Sequence, residues 1–262
     1  MRGVAQQIDI ALSELQGEFL QVSYPLFGLD SHDWPELYAS SVLLECDQIP
    51  VLITAAHAVD AIENETGKAV HVGAKHLVRV PERFKRSTDH ENDLLDIAAS
   101  VIPREITLAA DMVALPLSRA RDEWVSNTRF ACVHGYPCTK NRQRRQIDHA
   151  AKAFKRRHRT YAGTLADRQD YQRFGRDPQF QVGLRYRKGR NDKGNRATPP
   201  DPRGFSGGGL WVIPDIGAAR ETYLLAGIAI EYVKINGQVI FATRISHIID
   251  FIRQCVLPTH AR

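Results

Sequence analysis

The apolar residues of this chain fall into many short runs rather than a few long ones. Residues 41–46 and 51–54 form two such runs, separated by the turn-like segment Asp47-Gln48-Ile49-Pro50. Further runs of the same kind cover residues 69–72, 77–80, 97–102, 130–133, 209–213, 223–233 and 239–243. Many short strands joined by turns predict an all-β barrel or sandwich.

Both ends of the chain carry a helical pattern instead. Residues 1 to about 25 place apolar side chains such as Leu15 and Phe19 among acidic ones, which predicts a short amphipathic helix. Helical spacing returns near the other end, over residues 245–256. Between the helices, Gly135-Tyr136-Pro137 is expected to break the chain and residues 190–203 to form a loop.

Composition narrows the functional class only slightly. Of the 262 residues, 43% are apolar and 25% charged, as in an ordinary soluble globular protein of one large domain or two lobes. No apolar stretch is long enough to predict a membrane span, and the polar N-terminus predicts no export signal. The four cysteines match no zinc pattern and are expected to be reduced thiols, so we expect a cytoplasmic, bacterial protein.

Charge is concentrated in one segment. Residues 139–197 contain 18 Lys and Arg and 5 Asp and Glu, a net charge of +13, whereas the whole chain has +5. Three interpretations stay open: a solvated loop between strands, a surface for an acidic protein, or a surface for nucleic acid. The densest part consists of Arg142, Arg144, Arg145, Lys155, Arg156, Arg157, His158 and Arg159.

Candidate chemistry begins with a histidine at the end of a strand. The apolar run 51–54 leads directly into Ala55-Ala56-His57-Ala58, where small residues flank the imidazole. A general base needs an imidazole that is held rigidly, with room for a neighbouring hydroxyl. A single histidine beside an apolar strand is more often simply packed, so this segment needs partners.

A second segment offers a carboxylate. In Asn92-Asp93-Leu94-Leu95-Asp96-Ile97-Ala98 an acidic residue opens an apolar run. A carboxylate at that place could fix the tautomer of a histidine and stabilise its charged form. It could equally cap a turn or face solvent, and Asp93 and Asp96 compete for the role.

The third segment, Gly204-Phe205-Ser206-Gly207-Gly208, is the most specific. A serine nucleophile needs backbone N–H groups directed at the negative charge that develops on the attacked carbonyl. Gly204 permits a conformation that a side chain would oppose, so that the N–H groups of Gly204 and Ser206 could converge on one point. Together with His57 and an aspartate, this pattern predicts a serine nucleophile at Ser206.

These three segments resemble the signature blocks of the trypsin/chymotrypsin-like serine peptidases. Thr54-Ala55-Ala56-His57, Asp96-Ile97-Ala98 and Gly204-Phe205-Ser206-Gly207-Gly208 occur in the family's chain order of His, Asp and Ser. The residue pattern after the acid favours Asp96 over Asp93. The resemblance covers about residues 40–256 and implies a peptidase that acts on a protein or peptide substrate without metal or cofactor.

The fold implied by the resemblance is all-β, with two six-stranded β-barrels and the active site between them. The barrels would hold His57 and Asp96 on one side and Ser206 on the other, with the oxyanion hole at Gly204 and Ser206. The expected division is a single peptidase domain composed of an N-terminal extension (1–39), a first barrel (40–125), a second barrel (126–244) with the basic insertion 139–197, and a C-terminal helix and tail (245–262).

The chain also departs from the family's secreted digestive members. Ala58 and the single Cys46 cannot form their disulfide beside the histidine, and Phe205 stands where those members carry an aspartate. Activation by N-terminal cleavage is therefore not expected. Substrate contacts are expected from Arg203, Ala229, Ile230 and Glu231.

Two functions from different classes follow. The first is a serine endopeptidase that uses His57, Asp96 and Ser206. The second is a non-catalytic module of the same fold that binds an acidic protein or nucleic acid through residues 139–197. The presence of all three triad residues favours the first, because a binding module needs none of them.

Overall fold

The computed structural model describes residues 15–87, 94–121, 130–138, 157–186, 201–213, 223–234 and 238–257, and the backbone of four two-residue strands at 147–148, 153–154, 189–190 and 196–197. The described chain is mostly β, with two curled antiparallel sheets and a few helices. The all-β class is confirmed, and the architecture is consistent with the chymotrypsin-like two-barrel fold that the sequence predicts.

The first sheet carries the histidine. Its eight strands have the spatial order β5-β4-β1-β2-β3-β7-β6, with β8 pairing parallel to β2. They are β1 (Ser23–Leu29), β2 (Pro35–Cys46), β3 (Ile49–Ala55), β4 (His71–Gly73), β5 (Leu77–Arg79), β6 (Lys85–Arg86), β7 (Ile97–Val101) and β8 (Leu115–Pro116).

A tight hairpin links β2 and β3, which are neighbours in that sheet. β2 and β3 pair antiparallel up to Cys46↔Ile49, and only Asp47 and Gln48 lie between them. Both turn residues have positive φ, 51° and 66°, as a two-residue type I′ hairpin requires. This turn fixes the register of β3, which continues into the segment that carries His57.

The second sheet carries the candidate nucleophile loop. Its order is β12-β9-β16-β17-β18-β13, and a bridge between Leu165 and Leu184 brings its two edges together. The strands are β9 (Phe130–Gly135), β12 (Arg159–Thr164), β13 (Gln181–Arg185), β16 (Gly209–Val212), β17 (Leu224–Val233) and β18 (Val239–Arg244). Two short hairpins, β10 (Ile147–Asp148) with β11 (Ala153–Phe154) and β14 (Gly189–Arg190) with β15 (Arg196–Ala197), complete the described strands.

The helices are short and lie at the ends of strands. Residues 15–22 form α1, followed by α2 (Ala56–Thr66), α3 (Arg104–Ala109), α4 (Arg168–Phe174) and α5 (Ile245–Phe251). A 3-10 turn covers Leu117–Arg119, and a π-helical turn, Ile252–Val256, extends α5. The predicted C-terminal helix is thus present, with Ile245, Ile248 and Val256 buried.

Two apolar clusters stabilise the two sheets. The larger cluster lies under the first sheet and also takes in Trp211 and Leu225 of the second. The smaller one lies within the second sheet and includes Phe205, the residue before the candidate nucleophile. Packing across the junction therefore holds the two sheets, and the segments they carry, against each other.

Some strands differ from their predicted extents. The first sheet already begins at Ser23, before the expected start at residue 40, because β1 pairs with β2 over Ser23↔Val42 to Leu29↔Pro35. The described part of that sheet has eight strands instead of six, whereas the second has the six expected. No helix in the described residues is long and apolar enough to cross a membrane.

Candidate active site

His57 sits in the first turn of α2, directly after β3. The helix starts at Ala56, and its N-cap residue, Ala55, has no side chain that could cap it. Asp96 supplies the missing acceptors: its carbonyl accepts from the Ala56 N–H (2.9 Å) and its Oδ1 from the His57 N–H (2.9 Å). The carboxylate thus binds the positive end of the helix, where a negative charge is favoured.

The same carboxylate orients the imidazole. Asp96 Oδ2 lies 2.5 Å from His57 Nδ1, and the side chains are 24% and 50% exposed. Such a contact favours a proton on Nδ1 and leaves Nε2 as the outward-facing acceptor of the neutral ring. Asp96 therefore fixes both the helix that carries His57 and the tautomer of its ring.

Sheet register explains how Asp96 reaches the histidine. β7 begins one residue after Asp96 and pairs with β3 from Ala55↔Ile97 onward, so the residues that flank this pair face each other. Asp96 adopts φ 45°, a left-handed conformation that aspartate tolerates better than most residues. Asp93, the competing acid, lies outside the described residues.

The pKa of His57 is raised by its surroundings. Burial opposes the charged imidazolium and would lower the pKa, but the hydrogen bond and negative charge of Asp96 act in the opposite direction. The carboxylates of Asp60 and Glu231 add to that effect, and the net result lies above the ordinary value of 6.5. The site thus favours a positive charge on the ring.

The Ser206 loop owes its shape to glycine. Gly204 and Gly207 have φ of 94° and 81°, a region where a side chain is strained. A Cβ on Gly204 would lie 2.4 Å from the Tyr136 carbonyl oxygen, and one on Gly207 would lie 1.9 Å from that of Ser40. Only glycine fits these two positions without a shift of the backbone.

The backbone of this loop presents two N–H groups. The Arg203 carbonyl accepts from the Cys138 N–H (2.8 Å), and the Phe205 carbonyl accepts from the Gly208 N–H (2.7 Å). Because N–H and C=O point in opposite directions across a trans peptide, the N–H groups of Gly204 and Ser206 point away from these contacts. Within the described residues neither N–H has an acceptor.

Ser206 joins the two halves of the site through its backbone. Its carbonyl accepts from the Ser40 N–H of the first sheet (2.9 Å), and the next residue, Gly207, packs against Ser40 and Thr54, three positions before His57. Within the part of the chain that is described, Ser206 Oγ makes no hydrogen bond, and none links it to His57. The half-buried hydroxyl is therefore available to another partner.

Two clefts border these residues and meet at Glu231. The larger, of about 380 Å³, runs past His57 and is lined by Asp60, Asp96, Arg176, Gln181, Ile230 and Glu231. The smaller, of about 20 Å³, lies beside Ser206 and is lined by Pro202, Phe205, Ala229, Glu231, Tyr232 and Ile240. Glu231 forms an ion pair with Arg176, so its charge is partly compensated.

The four residues expected to contact substrate differ in position. Ala229, Ile230 and Glu231 line these clefts, whereas neither cleft includes Arg203. The Arg203 side chain is 69% exposed and lies 3.6 Å from the carboxylate of Asp201. Its backbone contributes to the geometry of the loop, since the carbonyl accepts from the Cys138 N–H and the N–H donates to Asp201 Oδ1 (3.1 Å).

Sequence reasoning missed several residues of the site. Arg176 and Gln181 reach the His57 cleft from the second sheet region, and no local pattern connects them with His57. Ser40 is different, since a serine pair in an otherwise apolar strand signals buried hydroxyl groups that need partners. Ser40 Oγ donates to the Gly204 carbonyl (2.6 Å) and accepts from the Tyr136 N–H (2.8 Å).

Other candidate chemistry is limited in the described residues. They contain no cluster of His, Cys, Asp or Glu that could hold a metal ion, and none of the four cysteines, all of which are described, forms a disulfide. Much of the basic segment 139–197, including Arg142, Arg144, Arg145, Lys155 and Arg156, lies outside the described residues. Its role as a surface for an acidic protein or nucleic acid stays a prediction.

Comparison with known proteins gives distant likenesses among solved structures. No family model and no curated protein matches the chain. Among solved structures, the serine protease domain of the Sesbania mosaic virus polyprotein is similar at 14% identity and TM-score 0.48, covering 87% of this chain and 91% of that one.

Two further structures are equally distant. The active form of the Rv3671c protease from M. tuberculosis is similar at 12% identity and TM-score 0.48, with 94% and 86% of the two chains covered. A structure from work on coupled folding and binding of the disordered Sesbania mosaic virus VPg protein gives 13% identity, TM-score 0.49 and coverage of 87% and 89%. Likenesses this distant assign neither family nor activity.

Proposed function

We propose that this chain is a serine endopeptidase in which Ser206 is the nucleophile, His57 the general base and Asp96 the group that orients it. The observation that most supports this proposal is that two preorganised groups of residues, around His57 and around Ser206, lie on the two sides of the junction between the sheets. An imidazole is fixed by a carboxylate on one side. On the other, a serine is framed by two N–H groups that have no acceptor among the residues that the structure describes.

In the proposed reaction, Ser206 Oγ attacks the carbonyl carbon of the scissile peptide bond. His57 Nε2 takes the hydroxyl proton, and the contact with Asp96 stabilises the imidazolium that results. The hydrogen bond from Ser206 to His57 would tighten in the substrate complex, as such contacts often do. The C–N bond then breaks, His57 returns the proton to the leaving amine, and water hydrolyses the acyl-enzyme by the same route.

The N–H groups of Gly204 and Ser206 are the proposed oxyanion hole. Donors directed at the position where negative charge develops stabilise the transition state more than the ground state. The anchored carbonyls of Arg203 and Phe205 support this role, because they hold the two N–H groups in place before substrate arrives. No metal or cofactor has a part in the mechanism.

The small cleft beside Ser206 supports a preference for a small residue on the acyl side of the cleaved bond. Its volume of about 20 Å³ is close to the space that one water-sized group occupies. Its lining is mainly apolar, with the rings of Phe205 and Tyr232 among it. We expect alanine, glycine or serine at this position.

We also propose a cytoplasmic site of action, which fits four cysteines that form no disulfide.

A mixed peptide library tests both parts of the proposal. The wild-type protein and the His57→Ala variant are incubated with the library, and the new termini are identified by mass spectrometry. We expect cleavage by wild type alone, after small residues. Cleavage by both proteins, or by neither while both are folded, contradicts the endopeptidase and favours the non-catalytic module. Cleavage after large residues contradicts only the preference.

A further inference from the structure

Ser40 lies where the first sheet meets the Ser206 loop. It is fully buried in the middle of β2, and its hydroxyl makes two hydrogen bonds. The hydroxyl donates to the Gly204 carbonyl (2.6 Å) and accepts from the Tyr136 N–H (2.8 Å). Both partners lie far from Ser40 in sequence, beyond residue 130, so one small side chain links β2 to two segments of the second sheet region.

The backbone of Ser40 makes further contacts with the same loop. Its N–H donates to the Ser206 carbonyl (2.9 Å), and its carbonyl accepts from Thr54 Oγ1 (2.8 Å). The Ser40 carbonyl oxygen also occupies the space next to Gly207, 1.9 Å from where a Cβ would be. Ser40 thus contacts the loop on both sides of Phe205, and contacts the strand that leads to His57.

The hydroxyl contact matters because it adds a restraint to a glycine, the residue type with the greatest backbone freedom. Glycine samples more backbone conformations than any other residue, and Gly204 is held at φ 94°. The peptide before Gly204 is anchored by the Arg203 carbonyl on Cys138. The peptide after it is anchored at both ends, by the Gly204 carbonyl on Ser40 and by the Phe205 N–H on the Pro202 carbonyl (2.9 Å). With both flanking peptides anchored, the Gly204 N–H has one direction.

We propose that Ser40 is a positioning residue that holds the Gly204 N–H in the geometry needed for the oxyanion hole. This inference rests on the proposed function, since it assigns Ser40 a role in the same reaction. Ser40 does not touch the reacting atoms. It acts through Gly204, and its loss should lower the rate of acylation while His57 and Asp96 stay in place.

The neighbouring serine provides a matched control. Ser41 is buried in the same strand, but its hydroxyl donates to the Tyr24 carbonyl within the first sheet (2.9 Å) and does not contact the loop. Ser40→Ala and Ser41→Ala each remove one buried hydroxyl and leave one carbonyl without its donor, and Ser40→Ala also removes the acceptor of the Tyr136 N–H. A difference in kinetics between the two variants therefore reports the contacts of Ser40 with Gly204 and Tyr136, beyond the general cost of deleting a buried hydroxyl.

The experiment measures acylation, kcat and KM for wild type, Ser40→Ala, Ser40→Cys and Ser41→Ala. Loss of a whole oxyanion donor costs on the order of 10²–10³ in kcat, so a loosened donor should cost about 10- to 100-fold. We expect that loss in Ser40→Ala with KM and the pH profile of His57 unchanged, partial recovery in Ser40→Cys with its weaker donor, and less than about threefold change in Ser41→Ala. Equal kinetics in the two alanine variants would overturn the inference.

An NMR measurement separates this inference from the proposed function. In protein labelled with ¹⁵N-glycine, we expect the Gly204 amide signal to shift or split in Ser40→Ala and to keep its position in Ser41→Ala. An unchanged Gly204 signal in Ser40→Ala overturns the positioning role whatever the activity. If the Gly204 signal changes in Ser40→Ala but the wild-type protein cleaves no peptide, the contact between Ser40 and Gly204 is supported and the proposed endopeptidase activity is contradicted.

Discussion

The two halves of the site are held in different ways. On the His57 side, one residue supplies the main contacts. The Asp96 carboxylate binds the imidazole and caps α2, and the Asp96 carbonyl accepts from the Ala56 N–H. On the Ser206 side, the geometry comes from the backbone, with positive φ at Gly204 and Gly207. Side-chain substitutions should therefore change the properties of His57, the proposed base, whereas the Ser206 loop should tolerate almost no change of backbone.

The largest expected effect comes from the serine itself. Ser206→Ala removes the proposed nucleophile and should lower kcat by about 10⁶, the size of the loss when a serine nucleophile is deleted in other serine peptidases. Since Ser206 Oγ makes no hydrogen bond within the described residues, the melting temperature should stay close to that of wild type. Peptide cleavage and thermal unfolding measure the two quantities. Cleavage above about 1% of wild type would assign the nucleophile to another residue.

The next largest effect tests the side-chain half. Asp96→Asn replaces an acceptor by an amide that can donate to Nδ1, which favours the wrong tautomer and should lower kcat on the order of 10⁴. Loss of the negative charge should also lower the pKa of His57. Asp60→Asn is the control, because Asp60 lines the same cleft without touching the ring. Equal kinetics in the two variants would contradict the role of Asp96.

The third prediction tests the backbone half. Gly207→Ala places a methyl group against the Ser40 carbonyl at positive φ, so it should distort the loop, lower kcat by about 10²–10³ and cost at least ~2 kcal/mol of unfolding free energy. Gly67→Ala is the matched control, with φ 61° but open space around its Cβ. It should cost about 1 kcal/mol and leave kcat unchanged. Similar results for both would show that the close contact at Gly207 is unimportant.

The smallest expected effect concerns pH. His57, the proposed base, can accept a proton only when its ring is neutral. We therefore expect kcat/KM to rise with pH through the pKa of His57, which lies above 6.5. The negative charge of Glu231 makes a minor contribution to the raised pKa of His57, so Glu231→Gln should move the pH profile of kcat/KM to slightly lower pH. Glu63→Gln, outside the cleft, should leave the profile in place. A shift to higher pH in Glu231→Gln would contradict the electrostatic account.

The same raised pKa links His57 to stability. A group whose pKa is higher in the folded state stabilises the fold below its unfolded pKa, and this stabilisation is lost as pH rises through the folded pKa. The contribution of His57 to stability is therefore largest at low pH, where the ring is protonated, whereas its proposed activity as a base is largest at high pH, where the ring is neutral. The contribution is modest, since half of the side chain is exposed.

How much of the site can be predicted from sequence differs between the halves. The glycine pattern around Ser206 predicts the backbone conformation of this loop directly, since positive φ and close backbone contacts both require glycine. The position of Asp96 beside His57 depends on the register in which β3 pairs with β7. The apolar runs predict the two strands but not their register. Strands were predicted where apolar runs are continuous, whereas β1, interrupted by Pro25 and Gly28, was not.

Residues that enter the site from elsewhere were beyond prediction. Arg176 follows a helix C-cap, Gly175, and pairs with Glu231 only because the chain folds back onto β17. Ser40 is likewise defined by partners far away in sequence, Gly204 and Tyr136. Such contacts depend on the tertiary arrangement, for which one sequence contains no local signal. The expected substrate contact of Arg203, which lines neither cleft, stays a prediction.

The central claim, that Ser206 is a nucleophile activated by His57, is tested most directly by locating a covalent adduct. Wild type, His57→Ala and Ser206→Ala are treated with a fluorophosphonate, and the modified peptide is identified by mass spectrometry. The account predicts one adduct, on Ser206, formed by wild type, strongly slowed in His57→Ala and absent in Ser206→Ala. An adduct on another residue, or none on folded wild type, would contradict it.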